Sequence, residues 1–129
     1  MTSDQRNLRA GLVDFADPTF LLLGESSSFE WLAAQIEGKR AVVLKGEPGK
    51  DLMCLSIVPS DGEGRASRAE GALEWRMSAS EATLVSQQLR ELAASSSPAH
   101  AYLDPASNLT GVQIVASKGE HDPTRVFVE

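Results

Sequence analysis

One short stretch constrains this chain more than any other: Leu73-Glu74-Trp75-Arg76-Met77 runs directly into Ser78-Ala79-Ser80-Glu81. Large apolar residues alternate strictly with charged ones, so an extended strand here turns Leu73, Trp75 and Met77 to a core and Glu74 and Arg76 to water. Ser78 and Glu81 then have capping-box spacing, with Met77 and Ala82 placed as a hydrophobic staple. The helix that follows carries Ala82, Val85, Leu89, Leu92 and Ala93 at intervals of three or four, and Ser95-Ser96-Ser97-Pro98 ends it. A strand joined to a helix without a linker requires the two to share one core.

The remaining pattern fits the same plan. Phe20-Leu21-Leu22-Leu23, between Pro18 and Gly24, reads as a largely buried strand. Ser27 and Glu30 have capping-box spacing ahead of a helix of about ten residues, with Phe29, Leu32, Ala33 and Ile36 on its apolar face and Gly38 as its stop. Ala41 to Leu44 and Leu52 to Val58 make a hairpin around the turn Gly46 to Asp51. Pro59 to Gly71 has no apolar residue larger than Ala and reads as an exposed loop. Ala99 to Leu103 is a short extended segment, Val112 to Ala116 a further strand, and Val126-Phe127-Val128 a last strand or a packed tail. No internal repeat is visible. The order β, α, β, β, β, α, β predicts an α+β fold: an antiparallel or mixed sheet of about five to six strands with two helices packed on one face. Residues 1–129 form one domain, with the polar segment 1–11 flexible and outside the core.

Composition narrows the function classes. Eighteen acidic against twelve basic residues give a net charge of −6 and a pI near 4.9, which repels nucleic-acid phosphates and anionic lipid and favours a basic partner. The single cysteine, Cys54, lies in an apolar run and reads as a small buried hydrophobe without an intrachain disulfide. No stretch approaches a membrane span, and Met1-Thr2-Ser3-Asp4-Gln5-Arg6 lacks the apolar core of a signal peptide, so a cytoplasmic protein is expected. Asn108-Leu109-Thr110 matches a glycosylation acceptor by chance in such a compartment.

Catalytic and metal chemistry find little purchase. His100, Tyr102 and Asp104 share one face if their segment is extended, but no nucleophile accompanies them, and a surface histidine is the better reading. Glu120-His121-Asp122 adds the second histidine, yet two distant histidines without cysteine are a poor zinc framework. Gly46 to Asp51 ends in Gly-Lys but fails the P-loop at both flanks, where Leu44 and Asp51 stand. Trp31 and Trp75 lack the interleaved basic residues of a nucleic-acid platform, and Trp75 belongs to the core by its alternation. The chain is therefore expected to be no enzyme, with no catalytic residue, metal or cofactor.

The acid itself is the remaining signal. Asp61, Glu63 and Glu70 fall in the long loop, Glu74 on the exposed strand face, and Asp104, Glu120 and Asp122 toward the end. An acidic surface accelerates capture of a cationic protein.

Over roughly the C-terminal half, the stretch from Leu73 to Ser78, the helix after it, Ser97-Pro98-Ala99-His100-Ala101-Tyr102-Leu103-Asp104 and Val115-Ala116-Ser117-Lys118-Gly119-Glu120 resemble small bacterial immunity proteins of toxin systems, contact-dependent growth inhibition among them. The resemblance implies a protein that binds a cognate toxin domain and blocks it, with no nucleic acid or membrane involved. Combined with the acid surplus, it points to a basic toxin, such as a nuclease, met by Asp61, Glu63, Glu70, Glu74, Asp104 and Glu120. A non-catalytic binding or regulatory module for another protein or a small ligand is the alternative.

Overall fold

The fold was analysed in a computed structural model, which describes residues 8–14, 18–46 and 54–119. Ten elements follow in order: β1 (Arg9–Asp14), β2 (Pro18–Leu23), α1 (Ser26–Glu37), β3 (Val42–Lys45), β4 (Cys54–Pro59), β5 (Arg65–Ala69), β6 (Ala72–Met77), α2 (Ala79–Ala94), β7 (Ala99–Leu103) and β8 (Gln113–Lys118). The class is α+β, with two mixed four-stranded sheets where the sequence predicts one sheet of five to six strands. The first sheet runs β1-β2-β8-β7 and the second β3-β4-β6-β5. Among the described residues, no helix is long and apolar enough to cross a membrane.

Each sheet has antiparallel outer pairs and a parallel central pair, β2 with β8 and β4 with β6. That arrangement reveals a repeat that the sequence hides. The described residues form two ββαββ units in succession, β1-β2-α1-β3-β4 and β5-β6-α2-β7-β8. Each unit lends its first hairpin to one sheet and its second to the other, so exchanging the units exchanges the sheets. The register obeys the same exchange. Leu22 pairs with Ala10 and Ala116 in the first sheet, as Trp75 pairs with Ala66 and Ile57 in the second. Isolated bridges tie Ala10 of β1 to Gly46 just after β3, and Ala66 of β5 to Asn108 in the β7–β8 loop.

One core serves both units. Phe20, Phe29, Leu32, Leu44, Leu55, Leu73, Trp75 and Leu89 are all fully buried in a single apolar cluster that spans both sheets and both helices. The helices pack chiefly against each other, and α2 also lies on β7 and β8. Val13, Leu21, Leu23 and Val115 form a second cluster on the opposite face of the first sheet. Because β2 sends apolar side chains both ways, it reads as an unbroken hydrophobic run.

Two strands escape the sequence reading. Leu8 and Ala10 are buried and β1 begins at Arg9, so the segment expected to lie outside the core supplies an edge strand from residue 9 onward. The expected loop Pro59 to Gly71 contains β5, which places Ala66 in the core. Its turn, Glu70-Gly71, has positive φ at both positions (48° and 81°), the type I′ hairpin geometry in which Asn or Asp usually precedes Gly. The capping box of α1 also lies two residues earlier than expected. Glu25 is the N-cap and Ser28 the third helical residue, the Ser-x-x-Glu motif with its two partners exchanged. The Ser78–Glu81 box of α2 stands as predicted, and so does the antiparallel β3–β4 pair, although most of its turn (residues 47–53) lies outside the described residues, as does Val126 to Val128.

Candidate functional site

A concavity lies where α2 begins. Ser78 Oγ accepts the Glu81 N–H (3.2 Å) and Glu81 Oε1 accepts the Ser78 N–H (2.9 Å), which fixes the first turn of α2. Before it, the C-terminal end of α1 turns away through Gly38-Lys39-Arg40, with Lys39 in the left-handed region (φ 57°). Arg40 is held over that end by bonds to Gln35 Oε1 (2.9 Å) and the Ala34 carbonyl (3.4 Å). Between these helix ends is a cleft of about 520 Å³ with an apolar floor of Ile36, Ile57, Met77 and Ala82. Lys39, Arg40, Ser60, Asp61, Ser78 and Ser80 are the polar groups around it. Its volume is that of a small-molecule site.

Glu81 does more than cap. Its side chain is 8% exposed, and Oε2 accepts the Ala106 N–H (2.6 Å) from the β7–β8 loop. Oε1 lies 1.5 Å from where a Cβ on Gly64 would stand. One buried carboxylate thus binds the start of α2 to the 104–112 loop and packs against the 60–64 loop. A second tie holds the 104–112 loop inside itself. Asn108 Oδ1 accepts the N–H and Oγ1–H of Thr110, and Asn108 Nδ2 donates to the Val112 carbonyl (3.1 Å). The acceptor pattern Asn108-Leu109-Thr110 is a turn device.

The predicted acidic residues divide among three places. Asp61 and Glu63 on the 60–64 loop and Asp104 on the 104–112 loop are exposed on segments brought side by side through Glu81. Glu70 is a hairpin-turn residue at the far end of β5 from Glu63. Glu74 points outward from the second sheet as predicted, but its row neighbours are Ser56 and Ser67 and the next row sets Arg76 opposite Arg65. That face is mixed in charge. Glu120 lies outside the described residues, as do His121 and Asp122.

His100 and Tyr102 do share the outer face of β7, with rings edge to face at 5.4 Å. Both are exposed, and Asp104 lies beyond the strand end. No group of three His, Cys, Asp or Glu side chains converges among the described residues. Cys54 is half-buried and in no disulfide. Trp75 is wholly buried as expected, although its Nε1–H has no partner among the described residues.

Sequence reasoning passed over Lys39, Arg40 and the cleft. Gly38-Lys39-Arg40 is legible only as a helix stop, and the Ala82 that opens the floor is legible as the staple partner of Met77 and an apolar position on α2. Comparison with family models, with curated proteins and with solved structures finds no match.

Proposed function

We propose that this is a non-catalytic binding protein, an immunity protein that captures and neutralises a cognate bacterial toxin domain of basic surface in the cytoplasm. The observation that supports this reading is the acidic loop pair. Asp61, Glu63 and Asp104 stand exposed on two adjoining segments, one tied to Glu81 and the other packed against it. Charges on pre-ordered loops steer an approaching cationic surface without an ordering cost on contact. Of the other acidic residues, Glu70 and Glu74 supply long-range field and no contact in this reading.

Mixing the purified chain with the polypeptide encoded by the adjoining gene tests it. A stable complex is expected, with an association rate that falls steeply with salt. Reversing Asp61, Glu63 and Asp104 to lysine slows association by about tenfold or more at low ionic strength and leaves the far-ultraviolet spectrum unchanged. A pair that fails to associate at low salt, or associates at a salt-independent rate, refutes the proposal.

A further inference from the structure

The two-unit symmetry gives the cleft at the start of α2 a counterpart at the start of α1, and that counterpart is filled. Glu25 and Ser78 are the two N-caps, so Phe29 and Ala82 occupy the same position of their helices. Phe29 is fully buried, whereas Ala82 leaves its place open on the cleft floor. The register likewise matches Lys118 at the end of β8 with Pro59 at the end of β4. Lys118 Nζ crosses the filled site and donates to Ser26 Oγ (3.0 Å), the Ala93 carbonyl (3.3 Å) and the Ser95 carbonyl, closing the C-terminal end of α2 onto the start of α1. Pro59 has no such reach. Finally, α2 has 16 residues and α1 only 12, a difference of about one turn or 6 Å. An aromatic ring, a long cationic side chain and a helical turn are all missing from one copy of an otherwise repeated site.

We infer that the open copy is a binding site for a small amphipathic anion: an apolar, ring-sized body on Ile36, Ile57, Met77 and Ala82, with one carboxylate toward Lys39 and Arg40. The floor provides the place that Phe29 fills in its counterpart. The charge follows from the rim. The half-buried Lys118 bridges the filled site with its ammonium, while the open site keeps its cations on the exposed C-terminal end of α1, where a bound anion can meet them. Asp61, which also lines the cleft, disfavours a second negative charge on the ligand. This inference does not rest on the toxin reading, because the acidic loops and the cleft use different side chains except Asp61.

The test uses three isosteres with one body: 2-naphthoate, 2-naphthamide and 2-naphthylmethylammonium, titrated into the ¹⁵N-labelled full chain. Saturable shifts confined to residues 36–40, 57–62 and 77–82 are expected for the anion, with a Kd of about 1 mM or below from ordinary ligand efficiency. The amide binds about fivefold more weakly, as for loss of a partly exposed ion pair, and the cation more weakly still. Ala82→Phe, which rebuilds the filled counterpart, abolishes saturation, and Lys39→Glu, at an exposed position, lowers affinity about fivefold whether or not the first variant folds. The inference is overturned if the anion gives no saturable shift up to about 10 mM, or if the three isosteres bind alike. Binding that survives a folded Ala82→Phe overturns it too. So does concentration-dependent dimerisation, seen by light scattering and removed by Lys39→Glu, which assigns the cleft to a second copy of the chain.

Discussion

Removing the Glu81 carboxylate and placing a methyl group on Gly64 should be strongly non-additive. In Glu81→Ala the Ser78 and Ala106 N–H groups, bonded at 2.9 and 2.6 Å, lose a charged acceptor. Each such bond is worth about 1.5–3 kcal/mol, so the variant loses about 3–6 kcal/mol. Gly64→Ala is not penalised by its backbone, which is outside the positive-φ region. Its new Cβ stands 1.5 Å from Glu81 Oε1, so the carboxylate must leave its site and the same two bonds are lost. Alone, Gly64→Ala therefore also costs about 3 kcal/mol or more. In the Glu81→Ala background the clash is gone, and the added methyl is neutral or gains about 0.4–1 kcal/mol by restricting the unfolded chain. The double variant should match Glu81→Ala within about 1 kcal/mol, a coupling of about 3 kcal/mol where distant sites show less than about 0.5. Urea unfolding of all four proteins, followed by circular dichroism with a shared m-value, measures the cycle. Costs that simply add would mean that the carboxylate does not occupy the Gly64 niche, and the account of how the acidic loops are held would fail.

Two further outcomes follow from single side chains. Trp75→Phe leaves a void costing roughly 1 kcal/mol but removes a buried Nε1–H that has no partner among the described residues, a lack costing about 1–3 kcal/mol, so stability stays within about 2 kcal/mol of the parent. Trp75→Ala loses about 3–5 kcal/mol, and a comparable loss in Trp75→Phe by urea unfolding would show that the indole N–H is bonded. At the α1–α2 crossing Arg90 donates to both oxygens of Glu37 (2.9 and 2.7 Å), and this hydrogen bonding, with the guanidinium charge, holds the Glu37 carboxyl below its ordinary range. The sign is that of a depressed acid: any stabilisation is complete above the unfolded-state pKa and is lost as pH falls through the folded-state value. Carboxyl-carbon NMR should show a Glu37 midpoint below that of a free glutamate, returning to it in Arg90→Met. Because both groups are solvent-exposed, high salt should narrow the difference, and a midpoint indifferent to Arg90 would refute the pairing.

Much of the fold was legible where local signals were strong. The alternation through Leu73, Trp75 and Met77 and the Ser78–Glu81 box define a strand and a helix because both depend on neighbours in sequence. Where an element owes its structure to a partner strand, local reading fails. Arg65–Ala69 alternates no large apolar residues and is a strand because Ala72–Met77 pairs with it. Arg9–Asp14 is set in the same way by β2. The Glu70-Gly71 turn lacked the usual Asn or Asp, so its hairpin read as loop. In the candidate site, Asp61, Glu63 and Asp104 were visible as acidic residues, but their adjacency was not. It comes from contacts of Glu81 with Gly64 and Ala106, residues 17 and 25 positions away along the chain.

By itself, then, the sequence determined the class of the fold, both helices, the apolar positions at its centre and the acid surplus, since these depend on composition, spacing and short-range hydrogen bonds. Only the tertiary structure decided that there are two sheets, that two ββαββ units exchange hairpins, and that one of two equivalent clefts is closed by Phe29 and Lys118 while the other stays open over Ala82. The physical reason is that pairing and packing join residues distant along the chain. The two units match in strand order and backbone register and not in side chains, so their relation is read from strand pairing alone.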